Sequence, residues 1–158
     1  MTRYYDEFAI GEETDLGSHA FELEAIVAFA RRWDPQRFHI VPAAAADSIF
    51  GTLVASGWHT ACVAMRKMVD ARIAEKARRV AAGLPTPSLG VSPGVRNLRW
   101  PVPVVPGDVV TYRSQVISMR ETKRPQWGLV ASRTSAFNAR GQEVFSMEGS
   151  VFAARRGA

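Results

Sequence analysis

Apolar residues along this chain follow two rhythms, a helical one before Gly83 and a two-residue one after Pro106. In ELEAIVAFARRW, Leu23, Ile26, Val27 and Phe29 or Ala30 recur at helical spacing. Pro35 directly follows Asp34, which predicts a helix that ends near Trp33. From Asp34 to Ser56 the sequence reads as loop, with a short helix at PAAAADSIF. The longest predicted helix runs from about Gly57 to Ala82, with Ser56 as N-cap and Gly83 and Pro85 as stop signals. Trp58, Cys62, Met65, Val69 and Ile73 form one apolar stripe along it, with Arg66, Lys67 and Asp70 elsewhere on the wheel. At about 1.5 Å per residue this helix reaches nearly 40 Å, longer than one small sheet covers. Its end, AEKARRVAAG, is therefore expected to be exposed or part of a mobile cover.

The rest of the chain is patterned as sheet. Before the long helix, TDLGSHAF holds a short extended piece. After it, VRNLRWPVPV leads to the turn PGD at 106–108 and then to DVVTYRSQVISMRE. There Val110, Tyr112, Ser114 and Val116 alternate with Thr111, Arg113 and Gln115. WGLVASRTSAFN and QEVFSMEGSVFAARR flank ARGQ at 139–142, a hairpin signal, and Phe145, Met147, Gly149, Val151 and Ala153 share one face. A central helix followed by three or four long antiparallel strands, with no repeats, predicts one α+β domain over 1–158 in which a sheet wraps the helix.

Composition narrows the classes. Hydrophobic residues make up 47% and charged residues 22%, a globular balance. A single cysteine, Cys62, forbids an internal disulfide. The N-terminus carries early acidic residues and no apolar signal core, so a cytoplasmic protein is expected. No run approaches the roughly 18 apolar residues of a membrane span. The net charge of +5 favours anionic partners. The basic residues are dispersed, however, and no zinc-finger, RNA-recognition or helix-turn-helix signature accompanies them. A solvated surface is the plainer reading of that distribution, a phosphate-bearing ligand is the alternative, and nucleic acid fits it poorly.

Chemistry concentrates in RRWDPQRFHIVPAAAADSIFGTLVASGWHTA, residues 31–61. Of the three histidines, His19 lies among small and polar residues and reads as structural. His39 and His59 are far apart in sequence, no HExxH spacing exists, and one cysteine cannot build a structural site, so no metal is expected. Asp34 and His39 bracket PQRF, an irregular span stiffened by Pro35 that can turn both side chains to one point. Carboxylate and imidazole together can hold a water, take its proton and return one elsewhere. A surface carboxylate beside a spare histidine is the plainer alternative. Gly57 opens the long helix, whose unpaired N–H groups can stabilise an enolate oxygen, and glycine allows close approach. Read otherwise, Ser56-Gly57 is merely a cap and a tight turn. His59, two residues into the helix, either lines a pocket or touches a neighbouring strand.

WDPQRFH, then FGTLVASGWHTA, VRNLRWPVPVVPGDVVTYRSQV and a closing RGQEVFSMEGSVFAARR resemble the MaoC-like dehydratases, the family of the (R)-specific enoyl-CoA hydratases. The resemblance covers nearly the whole chain and implies a hot-dog fold, a long α-helix wrapped by an antiparallel sheet. It places the catalytic aspartate and histidine on Asp34 and His39 and an oxyanion-binding amide on Gly57. Gln36 and Arg37 stand where family hydratases carry asparagine and proline, and Ser56 where many carry histidine. Gln36, Arg37, Ser56 and His59 are the expected substrate-binding positions.

The activity implied by the resemblance is reversible hydration of a 2-enoyl thioester to a (R)-3-hydroxyacyl thioester. Coenzyme A is then the substrate's carrier, no cofactor is required, and Arg99 and Arg124 are candidates for its phosphates. A homodimer or higher homo-oligomer is expected, with no nucleic-acid or membrane partner. Two other readings use the same fold: a non-catalytic acyl-binding subunit of a heterodimer, and an acyl-CoA thioesterase.

Overall fold

The structure, a computed structural model, describes residues 2–88 and 90–157. Its strands are β1 (Glu13–Ala20), β2 (Val95–Arg99), β3 (Val109–Glu121), β4 (Trp127–Phe137) and β5 (Glu143–Ala154). They form one five-stranded antiparallel sheet in the order β1-β3-β4-β5-β2. Between β1 and β2 come α1 (Leu23–Trp33), α2 (Arg37–Ile40), α3 (Pro42–Ala46) and α4 (Gly57–Ala81). The sheet curves around α4 and closes the α+β arrangement that the patterning predicts.

The period-two pattern of β3 is reproduced in its burial: Val110, Tyr112, Ser114 and Val116 are buried. Beyond Val116 a register shift breaks the alternation. Asn138 and Gln142 close the β4–β5 hairpin through a backbone N–H to O bond of 3.1 Å. The extended piece before α1 is a full strand of eight residues, paired from Glu13–Gln115 to Ala20–Val109. It bends at Gly17, whose φ of 77° only glycine adopts without strain.

The central helix presents the face opposite to its bulk. Thr60, Ala64, Met68 and Ala71 turn inward at spacings of three and four, and Arg79 is buried two turns further on. The stripe of Trp58, Cys62, Met65, Val69 and Ile73 is exposed. Small residues face the sheet because β-strands wrap this helix closely: Tyr112, wholly buried, reaches the Thr60 carbonyl at 3.4 Å. Beside Tyr112, at Thr60 and Ala64, no large side chain fits.

The segment at the end of α4, residues 74–83, is exposed as expected, save at Glu75 and Arg79. Arg79 is 5% exposed and donates to Glu7 at 3.1 Å and to the Pro85 carbonyl at 2.8 Å. Burial pushes the Glu7 carboxyl up, but Arg79, the Tyr4 amide and Arg156 outweigh it and hold the pKa below the ordinary value. Arg156 pairs with Glu7 as well, and its backbone N–H donates to Asp6 at 3.0 Å. Asp6 and Glu7 are thereby fastened to Arg156 and to the last turns of α4.

Candidate active site

α1 ends as Pro35 predicts, with Asp34 as C-cap and its N–H on the Ala30 carbonyl at 2.9 Å. The Gln36 N–H returns to the Asp34 carbonyl at 2.7 Å, a tight turn about Pro35. The span beyond this turn is not irregular: Arg37–Ile40 form one helical turn, and His39 sits in it. The turn and the short helix together bring His39 Nε2 within 3.3 Å of Asp34 Oδ2.

Each group is held from a second side. His39 Nδ1 lies 2.7 Å from the Val54 carbonyl. A carbonyl can only accept, so Nδ1 carries a proton and Nε2 is the nitrogen presented to Asp34. Ser56 Oγ donates to Asp34 Oδ2 at 2.6 Å, and Gln36 Nε2 donates to Oδ1 at 2.8 Å. Burial alone raises the Asp34 pKa, but the Ser56 hydroxyl, the Gln36 amide and His39 more than offset it. The carboxyl is held below its ordinary value, and so stays ionised at neutral pH.

Ser56 also caps α4. Its Oγ accepts from the Trp58 N–H at 3.2 Å while its carbonyl accepts from His59 N–H at 2.9 Å. Among the described residues the Gly57 N–H finds no acceptor. The space a Gly57 side chain would fill is taken by Trp100, whose indole atoms lie 2.8–2.9 Å from an ideal Cβ position. Glycine is required here by that ring, since the backbone is ordinary helix.

A cleft of about 410 Å³ joins these groups: Asp34, Gln36, His39 and Gly57 all line it. Its remaining walls include Phe38, Phe50, Trp58, Trp100, Pro101 and Pro103. Ser56 is fully buried behind Asp34 and does not line the cleft, and Arg37 is exposed on α2 outside the lining. His59 turns the other way. Its ring stacks on Phe29 at 4.6 Å and meets Phe21 edge-on at 5.1 Å, so it is core and not part of the cleft. Burial, with His19 beside it, holds the His59 pKa at about 4. Arg99 directly precedes Trp100 of the cleft, whereas Arg124 lies in the β3–β4 turn at the far end of the strands. The sequence reading missed the four aromatic walls. Trp58 reads from the sequence only as part of a helix stripe, and Trp100 only as part of RWPVPVVPGD.

A second cavity of about 220 Å³ lies between α4 and the sheet, lined by Met65, Met68, Val130 and Met147 among others. It shares no lining residue with the cleft. No cluster of potential metal ligands exists among the described residues, and no helix among them is long and apolar enough to cross a membrane.

A long helix wrapped by a five-stranded antiparallel sheet, its first turn beside a carboxylate–imidazole pair, is the hot-dog architecture. The family description MaoC like domain matches residues 7–136. A MaoC-like dehydratase from Rhodospirillum rubrum is similar in structure over 99% of both chains, with a TM-score of 0.81 and 32% identity. The (R)-hydratase from A. caviae involved in PHA biosynthesis is similar over 92% of this chain and 96% of its own, with a TM-score of 0.65 and 24% identity. The uncharacterized protein YdeM of Bacillus subtilis (strain 168) is 24% identical over 150 residues, covering 95% of this chain and 98% of that one. The chain belongs to the MaoC-like family, and hydration or dehydration is the general chemistry that this membership supports.

Proposed function

We propose that the protein catalyses the reversible hydration of a 2-enoyl thioester to a (R)-3-hydroxyacyl thioester, with coenzyme A as the carrier. The observation that carries this reading is the 3.3 Å approach of His39 Nε2 to Asp34 Oδ2, at the wall of a cleft that also contains Gly57. A water held by both groups attacks C3 and passes a proton to the ionised Asp34 carboxylate. His39, protonated at Nε2, gives a proton to C2. The enolate oxygen formed between these events is stabilised by the Gly57 N–H, which has no acceptor among the described residues. Proton transfer from Asp34 to His39 across their direct contact resets the pair. Acid/base groups and a backbone amide suffice for this sequence, so it calls for no metal or redox cofactor. Gln36 and Ser56 act through Asp34, fixing its rotamer and its charge.

The unpaired edge of β2 and the exposed apolar stripe on α4 support a homodimer, in a protein working in the cytoplasm. The test is hydration of crotonyl-CoA with chiral analysis of the product. Asp34→Asn and His39→Ala are expected to lower kcat by at least about 10²-fold while circular dichroism stays that of the parent. Parent-like turnover in both variants would remove these residues from the chemistry. Release of free thiol from acyl-CoA would point instead to a thioesterase. No activity from the purified chain, restored by a partner subunit, would point to a heterodimer.

A further inference from the structure

The walls of the cleft are flat. Trp100 lies against Gly57 and meets Trp58 edge-on at 5.4 Å. Phe38 lies against His39 at 4.4 Å and Phe50 at 5.3 Å. One aromatic pair is thus attached to the amide end of α4 and the other to the imidazole. Pro101 continues the first pair along the wall of the cleft. The flexible methionines, which suit a coiling alkyl chain, line the separate cavity beneath α4.

We infer that Trp100 is a specificity-determining residue and that the cleft selects acyl thioesters bearing an aromatic ring on C3 over straight-chain ones. This rests on the hydratase reading for where the acyl group lies. An aryl ring on C3, conjugated or not, carries a flat π-face and edge of its own. Such a ring gains edge-to-face and offset contacts that an alkyl chain cannot make, each a preference of several-fold to about tenfold. Trp100 forms the wall beside the amide end of α4, in space that only a glycine at position 57 leaves open.

The test separates binding from turnover. Dissociation constants for 3-phenylpropionyl-CoA and nonanoyl-CoA, whose acyl groups have equal carbon counts, are measured by calorimetry on the parent and on Asp34→Asn. The aryl ester is expected to bind about tenfold more tightly, and Trp100→Ala is expected to bring the two affinities together. Phe50→Leu, at a position 40% exposed in a turn, repeats the test should Trp100→Ala not fold. Equal or tighter binding of nonanoyl-CoA by the parent overturns the inference, as does a preference that survives both substitutions. Crotonyl-CoA hydration that depends on Asp34, found together with straight-chain preference, leaves the hydratase reading standing and this one refuted. Aryl preference without any hydration does the reverse.

Discussion

Ser56 Oγ donates at 2.6 Å to the same Asp34 oxygen that faces His39 Nε2. One hydroxyl therefore ends a helix and sets a charge, since it also accepts the Trp58 N–H of the first turn of α4. Ser56→Ala is expected to cost about 1 kcal/mol of stability as a lost cap. It also removes a group that lowers the Asp34 pKa, so the carboxyl rises toward its ordinary value. The acid limb of the kcat/KM profile shifts to higher pH as a result. A pH–rate profile with a parent-like acid limb would show that the bond has no bearing on catalysis.

Gln36 takes the other oxygen of the same carboxylate. Gln36→Leu, which keeps bulk and removes the amide, is expected to reduce kcat roughly tenfold with little change in KM, because Asp34 loses a restraint while the cleft keeps its volume. Steady-state kinetics on crotonyl-CoA distinguish this from a binding role, in which KM would rise and kcat would hold.

Gly57→Ala places a methyl group 2.8–2.9 Å from the indole of Trp100. Either the ring or the first turn of α4 must move, and a displacement near 1 Å at a reacting centre costs on the order of 10²-fold in rate. In Gly57→Ala/Trp100→Ala the clash is gone, so the double variant is expected to be more active than Gly57→Ala alone. A double-mutant cycle with additive losses would contradict the contact.

His59 is buried against Phe29 with its pKa held at about 4, against 6.5 for an unperturbed imidazole. The unfolded chain therefore binds this proton more readily than the folded one. Its contribution to stability is complete above pH 6.5 and is lost as the pH falls toward 4, by roughly 3 kcal/mol in total. His59→Phe keeps the stacking and removes the titration. Thermal melts between pH 4 and 7 should show a shallower decline in this variant than in the parent.

Arg79 and Arg66 provide a paired comparison on one helix. The Arg79–Glu7 pair is largely buried, while Arg66 meets Asp70 on the surface. Arg66→Ala is expected to change stability by at most about 1 kcal/mol. Arg79→Ala leaves Glu7 with Arg156 and the Tyr4 amide alone, takes the donor from the Pro85 carbonyl, and is expected to cost several times more. Urea denaturation of both variants provides the comparison.

Local rules carried much of the fold. Pro35 marked the end of α1, Ser56 and Gly83 bracketed α4, and the alternation from Val110 to Val116 was that of a half-buried strand. The orientation of α4 was not legible, because it depends on how tightly the sheet curves. Beside Tyr112 only Thr60 and Ala64 fit, and Trp58, Val69 and Ile73 are left exposed. The convergence of Asp34 and His39 could be guessed from Pro35, although the helical turn that brings it about was unexpected. Trp100 over Gly57 links positions far apart in sequence, and no periodicity records such a contact. The place of His59 stayed open for a related reason: near the start of α4, successive residues point in different directions, and only tertiary packing decides which of them meets the cleft.

Joining residues near the two termini by a short linker would tether parts of the molecule that the Arg156–Asp6 and Arg156–Glu7 contacts already hold together. New ends could then be opened in the tight turn at Arg140 and Gly141, which is exposed. Such a circular permutant would keep every strand of the sheet intact and leave the acid/base pair undisturbed, which makes this chain a ready host for grafting at its poles.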